Sequence, residues 1–303
     1  MTKENYLYCE VVDMETIIVT DSCCDLPYDY IQDNSIEMIP MTITVNQTDH
    51  KDDLAKTKDY EQFYKSILEG AMPKTSQINA YEFKEVFMKY LKEEKNILYI
   101  GFSSALSGCV ESARMAVREI REENSNFKAR VEVIDSKCAS MGQGLAVYYA
   151  VEQLKQGKSM NEVLEYIENI KLKINHWFTV TDLNYLFRGG RVSKTAATVG
   201  TLLQIKPIMH VDDDGRLMPV EKVKGRKKSL KVLVEKVKEN IVNPEKQVVF
   251  ISHGAALEEA EGVKKAIIEQ CGVKDVWINY VGATVGSHSG PGTIAIFFMG
   301  EHR

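Results

Sequence analysis

Three apolar runs in the first half of the chain end on the same punctuation, and that repetition restricts the fold most. "TIIVTDS" closes on Asp21 and Ser22, "NILYIGFSS" on Ser103 and Ser104, and "RVEVIDS" on Asp135 and Ser136. Each run is rich in Ile and Val, stops at turn residues and is followed by a helical pattern, so each reads as a strand. "IEMIPMTITV" reads as a further strand. In "AYEFKEVFMKYLKEEK", Phe83, Phe87, Tyr90 and Leu91 recur at the spacing of one buried helix face. "SGCVESARMAVREIREEN" and "GQGLAVYYAVEQLKQG" read as helices of the same amphipathic kind. Strand and helix alternating in this way predict a parallel sheet covered on both faces.

The pattern changes after "SMNEVLEYIENIKLKI". "HWFTVTDL", "FRGGRVS" and "LLQIKPIMHVDDDGRLMPVEKVKGRKK" follow, with Asp212 to Gly215 reading as a hairpin turn between two apolar strands. "QVVFISH", "VWINYVG" and "TIAIFFM" add strands, and helices are expected at about 228–240 and 255–270. At 303 residues the chain is long for one core. The expectation is an α/β protein of two domains. Residues 1–15 form an extension, 16–172 an α/β/α domain on a parallel sheet, and 173–303 an α/β domain on a mixed sheet.

A formal charge of -5 argues against a general nucleic-acid or membrane-surface binder. No apolar run approaches the ~20 residues that span a bilayer. The polar start "MTKENYLYCEVVDMET" lacks a signal-peptide layout, which points to the cytoplasm. The six cysteines include no C-x-x-C pair, and the adjacent Cys23 and Cys24 have no second pair nearby to complete a zinc site. No metal and no cofactor are expected.

In a parallel sheet the strand ends line one edge, where ligands bind. A lone serine there is usually a helix cap. Three such edges, together with the cluster "SSALSG", favour a binding site. "PKTSQIN" adds Thr75 and Ser76 in a loop opened by Pro73. Converging hydroxyls without a fixed charge suit a carboxylate or a phosphate held by hydrogen bonds. Neither a Walker A loop nor a G-x-G-x-x-G fingerprint is present. His288 stands in a Gly-rich turn, where Gly286, Gly290 and Gly292 let backbone approach a ligand closely. His253 is a weaker candidate of the same kind.

Taken in order, "TDSCCDLP", "PKTSQ", "SSALSG", "VIDSKCASMGQG", "RGGRVS", "LLQIKPI" and "HSGPGTIAIFF" resemble the DegV family, fatty-acid-binding proteins that serve bacterial fatty acid kinase. The resemblance implies two α/β domains with a lipid buried between them. It implies that Thr75, Ser76, Ser103, Ser104 and His288 meet the carboxylate of a long-chain fatty acid, which is presented to a separate kinase subunit for acyl-phosphate formation. The chain itself would then be a carrier without catalysis. Arg188 and Arg191 of "RGGRVS", and Lys224, Arg226, Lys227 and Lys228 of "VKGRKKSLK", are the expected kinase-docking residues. Transient contact with a membrane surface is compatible with that role. The family's run resembles D-S-T-x-D-L, so Cys23 replaces a common threonine and weakens any ligand role for a hydroxyl there. An exposed Cys23 at a helix start would be oxidisable.

Two other readings stay open. One is a small-molecule hydrolase or transferase using Ser104 or Cys23 as nucleophile with His288, although no G-x-S-x-G elbow is present. The other is a lipid-binding sensor without a kinase partner.

Overall fold

In the computed structural model, which describes residues 14–57, 59–193 and 204–303, the chain builds three sheets. Most of the expected extension, and the first residues of "LLQIKPI", lie outside the described residues. The first sheet is parallel, in the order β2-β1-β6-β7, from β1 Thr16–Asp21, β2 Glu37–Ile39, β6 Asn96–Gly101 and β7 Val131–Asp135. A small antiparallel sheet, β4-β3-β5, holds β3 Thr42–Val45, β4 Thr48–Lys51 and β5 Lys74–Ser76. The third has six strands in the order β10-β9-β8-β13-β11-β12. Its members are β8 Ile174–Thr179, β9 Ile205–Val211, β10 Leu217–Lys224, β11 Val248–His253, β12 Asp275–Tyr280 and β13 Ile294–Met299. It is mixed: β11 and β12 run parallel and every other pair antiparallel.

"IEMIPMTITV" is two strands rather than one. Pro40 has no N–H for a ladder, and the chain leaves the parallel sheet there to start β3. "PKTSQIN" is not a loop throughout, because Thr75 pairs with Ile43 across β3 and β5.

Helices α1 Tyr28–Asp33 and α2 Tyr60–Leu68 follow β1 and β4. The outer face of the parallel sheet is covered by α3 Ala80–Lys92 and α4 Cys109–Glu123. Phe83, Phe87 and Leu91 of α3 are buried as their spacing predicts, while Tyr90 is half-buried and reaches Glu37. Asn79 and Glu82 close α3 with a reciprocal capping box, so Thr75 and Ser76 are not its caps.

On the inner face lie α5 Met141–Lys155 and α6 Met160–Ile170. The sequence reads α5 as amphipathic, yet its first seven residues, 141–147, are all buried. One side packs on the parallel sheet, and the other on Phe178, Phe250 and Phe297 of the mixed sheet. Its glycines permit this. A Cβ on Gly142 would stand 2.0 Å from His176 Nε2, and one on Gly144 2.6 Å from the Cys24 carbonyl. The far face of the mixed sheet is covered by α8 Arg226–Asn240 and α9 Leu257–Cys271. Two short helices, α7 Asn184–Arg188 and α10 Ala283–Ser289, border the space between the sheets.

Candidate functional site

The first strand end is closed to chemistry. Ser22–Cys24 forms a single 3-10 turn capped by Asp21, whose carboxylate accepts from the Cys23 N–H at 3.0 Å and from the Tyr99 hydroxyl at 2.7 Å. Ser22 Oγ accepts from the Met41 N–H at 3.1 Å. Cys23 and Cys24 are buried, and burial first, then the nearby Asp21, pushes the Cys23 thiol well above its ordinary pKa. The expected oxidisable thiol is therefore a buried, protonated one. Cys23 contributes apolar wall to the cavity described below.

Ser103 and Ser104 are likewise occupied. Ser103 Oγ donates to the Gly215 carbonyl at 2.9 Å, fastening the β9–β10 hairpin tip to the first half. Gly215 has φ +83, and a Cβ there would stand 2.1 Å from that hydroxyl. The backbone N–H and the hydroxyl of Ser104 both donate to Asp135, at 3.1 and 2.5 Å. Lys137 adds an ion pair to Asp135 at 2.9 Å. Burial pulls the Asp135 carboxyl upward, but the Ser104 and Lys137 hydrogen bonds win and hold it below the usual range.

A cavity lies between the sheets, enclosing about 740 Å³ of non-atom space with its mouth included. Ser103, Ser104 and Ser76 do not line it, whereas Ser107 of the same "SSALSG" run does. The Ser107 hydroxyl donates weakly to Cys109 Sγ at 3.3 Å and accepts from the Cys109 N–H at 3.4 Å. Thr75 lines the cavity and Ser76 is exposed, because adjacent residues of a strand point to opposite faces.

Thr75 Oγ1 stands 2.8 Å from His288 Nε2. His288 sits on α10 rather than in a turn. Its Nδ1 is buried without a hydrogen-bond partner and faces Gly189, where a Cβ would come within 2.2 Å. Burial first, and the Arg191 charge second, lower the His288 pKa to about 4, so the ring is neutral at pH 7. Arg191 also lines the cavity, with Nε donating to the Leu106 carbonyl at 3.2 Å and Nη1 to the Gly189 carbonyl.

The other expected docking residues separate from it. Arg188 is exposed, lies over the Tyr185 ring and touches Met72 Sδ. Arg226 is half-buried with its guanidinium committed to Glu259, and Lys227 is exposed. His253 is buried, and its Nδ1 accepts from the Ala256 N–H. No metal-holding group of three His, Cys, Asp or Glu side chains occurs among the described residues, and no described helix is long and apolar enough to cross a membrane.

Thr75, Ser107, Arg191 and His288 thus bring hydroxyls, an imidazole and a cation to one apolar cavity. Its remaining walls include Met41, Phe102, Phe178, Leu186 and Phe297. Fold and cavity define an α/β protein in which a parallel and a mixed sheet enclose an apolar space with a polar cluster at Thr75 and His288. The chain belongs to the DegV family: residues 15–301 match the model described as "Uncharacterised protein, DegV family". It is 43% identical over 287 residues to a DegV domain-containing protein of Clostridium perfringens, covering 95% of this chain and 98% of that one. A DegV lipid binding protein from Thermotoga maritima has the same fold, with a TM-score of 0.84 at 30% identity, covering 96% of this chain and all (100%) of that one. DegV of Bacillus subtilis, described as a fatty acid binding protein, gives a TM-score of 0.83 at 27% identity over 95% of this chain and 100% of its own.

Proposed function

We propose that this protein binds one long-chain fatty acid in the cavity between the sheets, with the carboxylate at Thr75, Ser107, His288 and Arg191. The observation that carries this is the Thr75–His288 pair at 2.8 Å, set beside Arg191 in a cavity whose walls are mostly apolar. A carboxylate there would accept from the hydroxyls and from the guanidinium without a metal, and charge-assisted bonds of this kind are the stronger ones. Each buried methylene of the tail adds about 0.8 kcal/mol. Fatty acid binding by solved relatives supports the same ligand. Of the five residues expected from sequence, Thr75 and His288 stay in the proposal. Ser107 takes the place of Ser103 and Ser104, and Ser76 faces away.

The bound acid would be presented to a separate kinase subunit, with the protein as carrier and the division near residues 172 and 173 framing the cleft. Arg188 and Lys227, both exposed, remain the docking candidates. Arg191 moves from that role to the ligand. A nucleophile at this cleft is disfavoured: Ser104 spends its hydroxyl on Asp135, and the Cys23 thiol is held protonated.

Titrating the delipidated protein with a fatty acid and the fatty alcohol of equal length tests the carboxylate site. The acid should bind roughly a hundredfold more tightly, as one or two charge-assisted bonds imply. Equal affinity would remove the assignment.

A further inference from the structure

We propose that the cavity holds a second polar subsite, at Ser252 and Ser289, that selects a long-chain fatty acid carrying a hydroxyl on its chain. The inference rests on the fatty-acid reading above and extends it to the identity of the acid.

Besides Phe178, Val211, Leu217 and Phe297, the residues that line the cavity include Ser140, Ser252, Thr284, Ser289 and Thr293. Two of these are fully engaged with protein. Thr284 Oγ1 donates to Asp52 at 2.6 Å, and Thr293 Oγ1 to the Ser289 and Gly290 carbonyls at 3.1 and 2.9 Å. Ser289 differs. It is 5% exposed, and its hydroxyl has no hydrogen-bond partner. A buried polar group left in that state is costly, and native structures nearly always supply a partner.

Ser252 is fully buried on β11, and its hydroxyl meets Ser140 Oγ at 2.9 Å. Ser140 in turn meets Asp25 Oδ2 at 2.5 Å. Asp25 is buried, and desolvation pushes its carboxyl well above the usual range. Ser140 Oγ donates to Asp25, so in the Ser140–Ser252 pair Ser252 donates to Ser140, and Ser252 Oγ keeps a lone pair with which to accept a further hydrogen bond. Ser140 is held in this chain by an uncommon backbone conformation, φ 53 and ψ -142, of the kind that collects at functional sites.

The two serines share one rim. Ser252 pairs with Ala295 across β11 and β13, the Gly254 N–H donates to the Thr293 carbonyl at 2.9 Å, and Thr293 closes onto Ser289. An alkyl chain passing this rim leaves Ser289 unpaired. A chain hydroxyl both donates and accepts, so it can accept from the unpaired Ser289 hydroxyl and donate to Ser252 Oγ. The protein would then discriminate by pairing one buried hydroxyl with another, the form of recognition that apolar packing alone cannot supply.

The test titrates the delipidated full-length chain, as wild type, Ser289→Ala and Ser252→Ala, with stearic acid and with mid-chain hydroxystearic acids, one positional isomer at a time. At least one isomer should bind about tenfold more tightly than stearic acid, the gain of roughly one buried hydrogen bond. Ser289→Ala should abolish that preference, read as the ratio of hydroxystearic to stearic acid affinity for the same variant. Stearic acid binding as tightly as every isomer, or a preference that survives both substitutions, would overturn the subsite and leave a trapped water as the partner of the serines. Failure of both kinds of acid to bind would instead overturn the fatty-acid reading itself.

Discussion

Ser104 and Ser107 stand three residues apart in one loop, carry the same hydroxyl, and do different work. Ser104 is bound twice to Asp135 and does not line the cavity, while Ser107 lines it and is held only by long bonds to Cys109, donating to its thiol and accepting from its N–H. The same contrast separates Thr75 from Ser76 on β5, one against His288 and the other in solvent. A hydroxyl already satisfied by the protein builds the loop; one with spare hydrogen-bonding capacity is available to a ligand.

Substitution can break this comparison, starting where the effect should be largest. Thr75→Ala combined with His288→Ala should weaken fatty acid binding by roughly a hundredfold or more, since two polar contacts to one carboxylate are lost. Unchanged affinity by titration calorimetry would detach both residues from the ligand. Ser103→Ala should act on stability instead, costing about 1–3 kcal/mol in denaturant unfolding because the Gly215 carbonyl loses its buried donor. Its affinity should remain within about twofold, measured on the folded protein. Ser107→Ala should reverse that pattern, with affinity falling by roughly tenfold and little change in unfolding midpoint.

The smallest effect is one of pH. His288 titrates near pH 4 in the folded protein and near 6.5 when unfolded. Between those values the unfolded chain binds more protons, so the stability this group contributes is complete above about pH 6.5 and is lost as pH falls towards 4. The ligand-free protein should therefore lose stability over that interval more steeply than His288→Gln, as read from denaturant midpoints at stepped pH. The buried Asp25 and Asp52, whose carboxyls burial raises, act in the opposite direction: their contribution is present at low pH and lost as pH rises through their folded pKa values. The wild-type minus variant difference isolates the histidine from them. Parallel profiles would show that His288 is not held in the environment described.

The sequence made the layered architecture readable because strand ends, helix stripes and the Asp212–Gly215 turn are local signals. The two-sided burial of α5 was not readable, since it depends on a second sheet whose strands come later in the chain, and only Gly142 and Gly144 hinted at close approach. Thr75 and His288 could be picked out by residue type and neighbours. Choosing among Ser103, Ser104 and Ser107 could not be done that way, because the deciding partners, Gly215 and Asp135, are distant in sequence. Strand parity would have separated Thr75 from Ser76 had "PKTSQIN" been recognised as an edge strand. Arg191 looked like its neighbour Arg188 until the fold turned one towards the cavity and the other outward.

The central claim, a fatty acid enclosed between the two sheets, is tested most directly by native mass spectrometry of the purified protein, followed by denaturing extraction of whatever it carries. The account predicts a mass excess of a single long-chain fatty acid per chain, recovered as the free acid and exchangeable for an added one. A chain that carries no lipid and takes up no added fatty acid would contradict it.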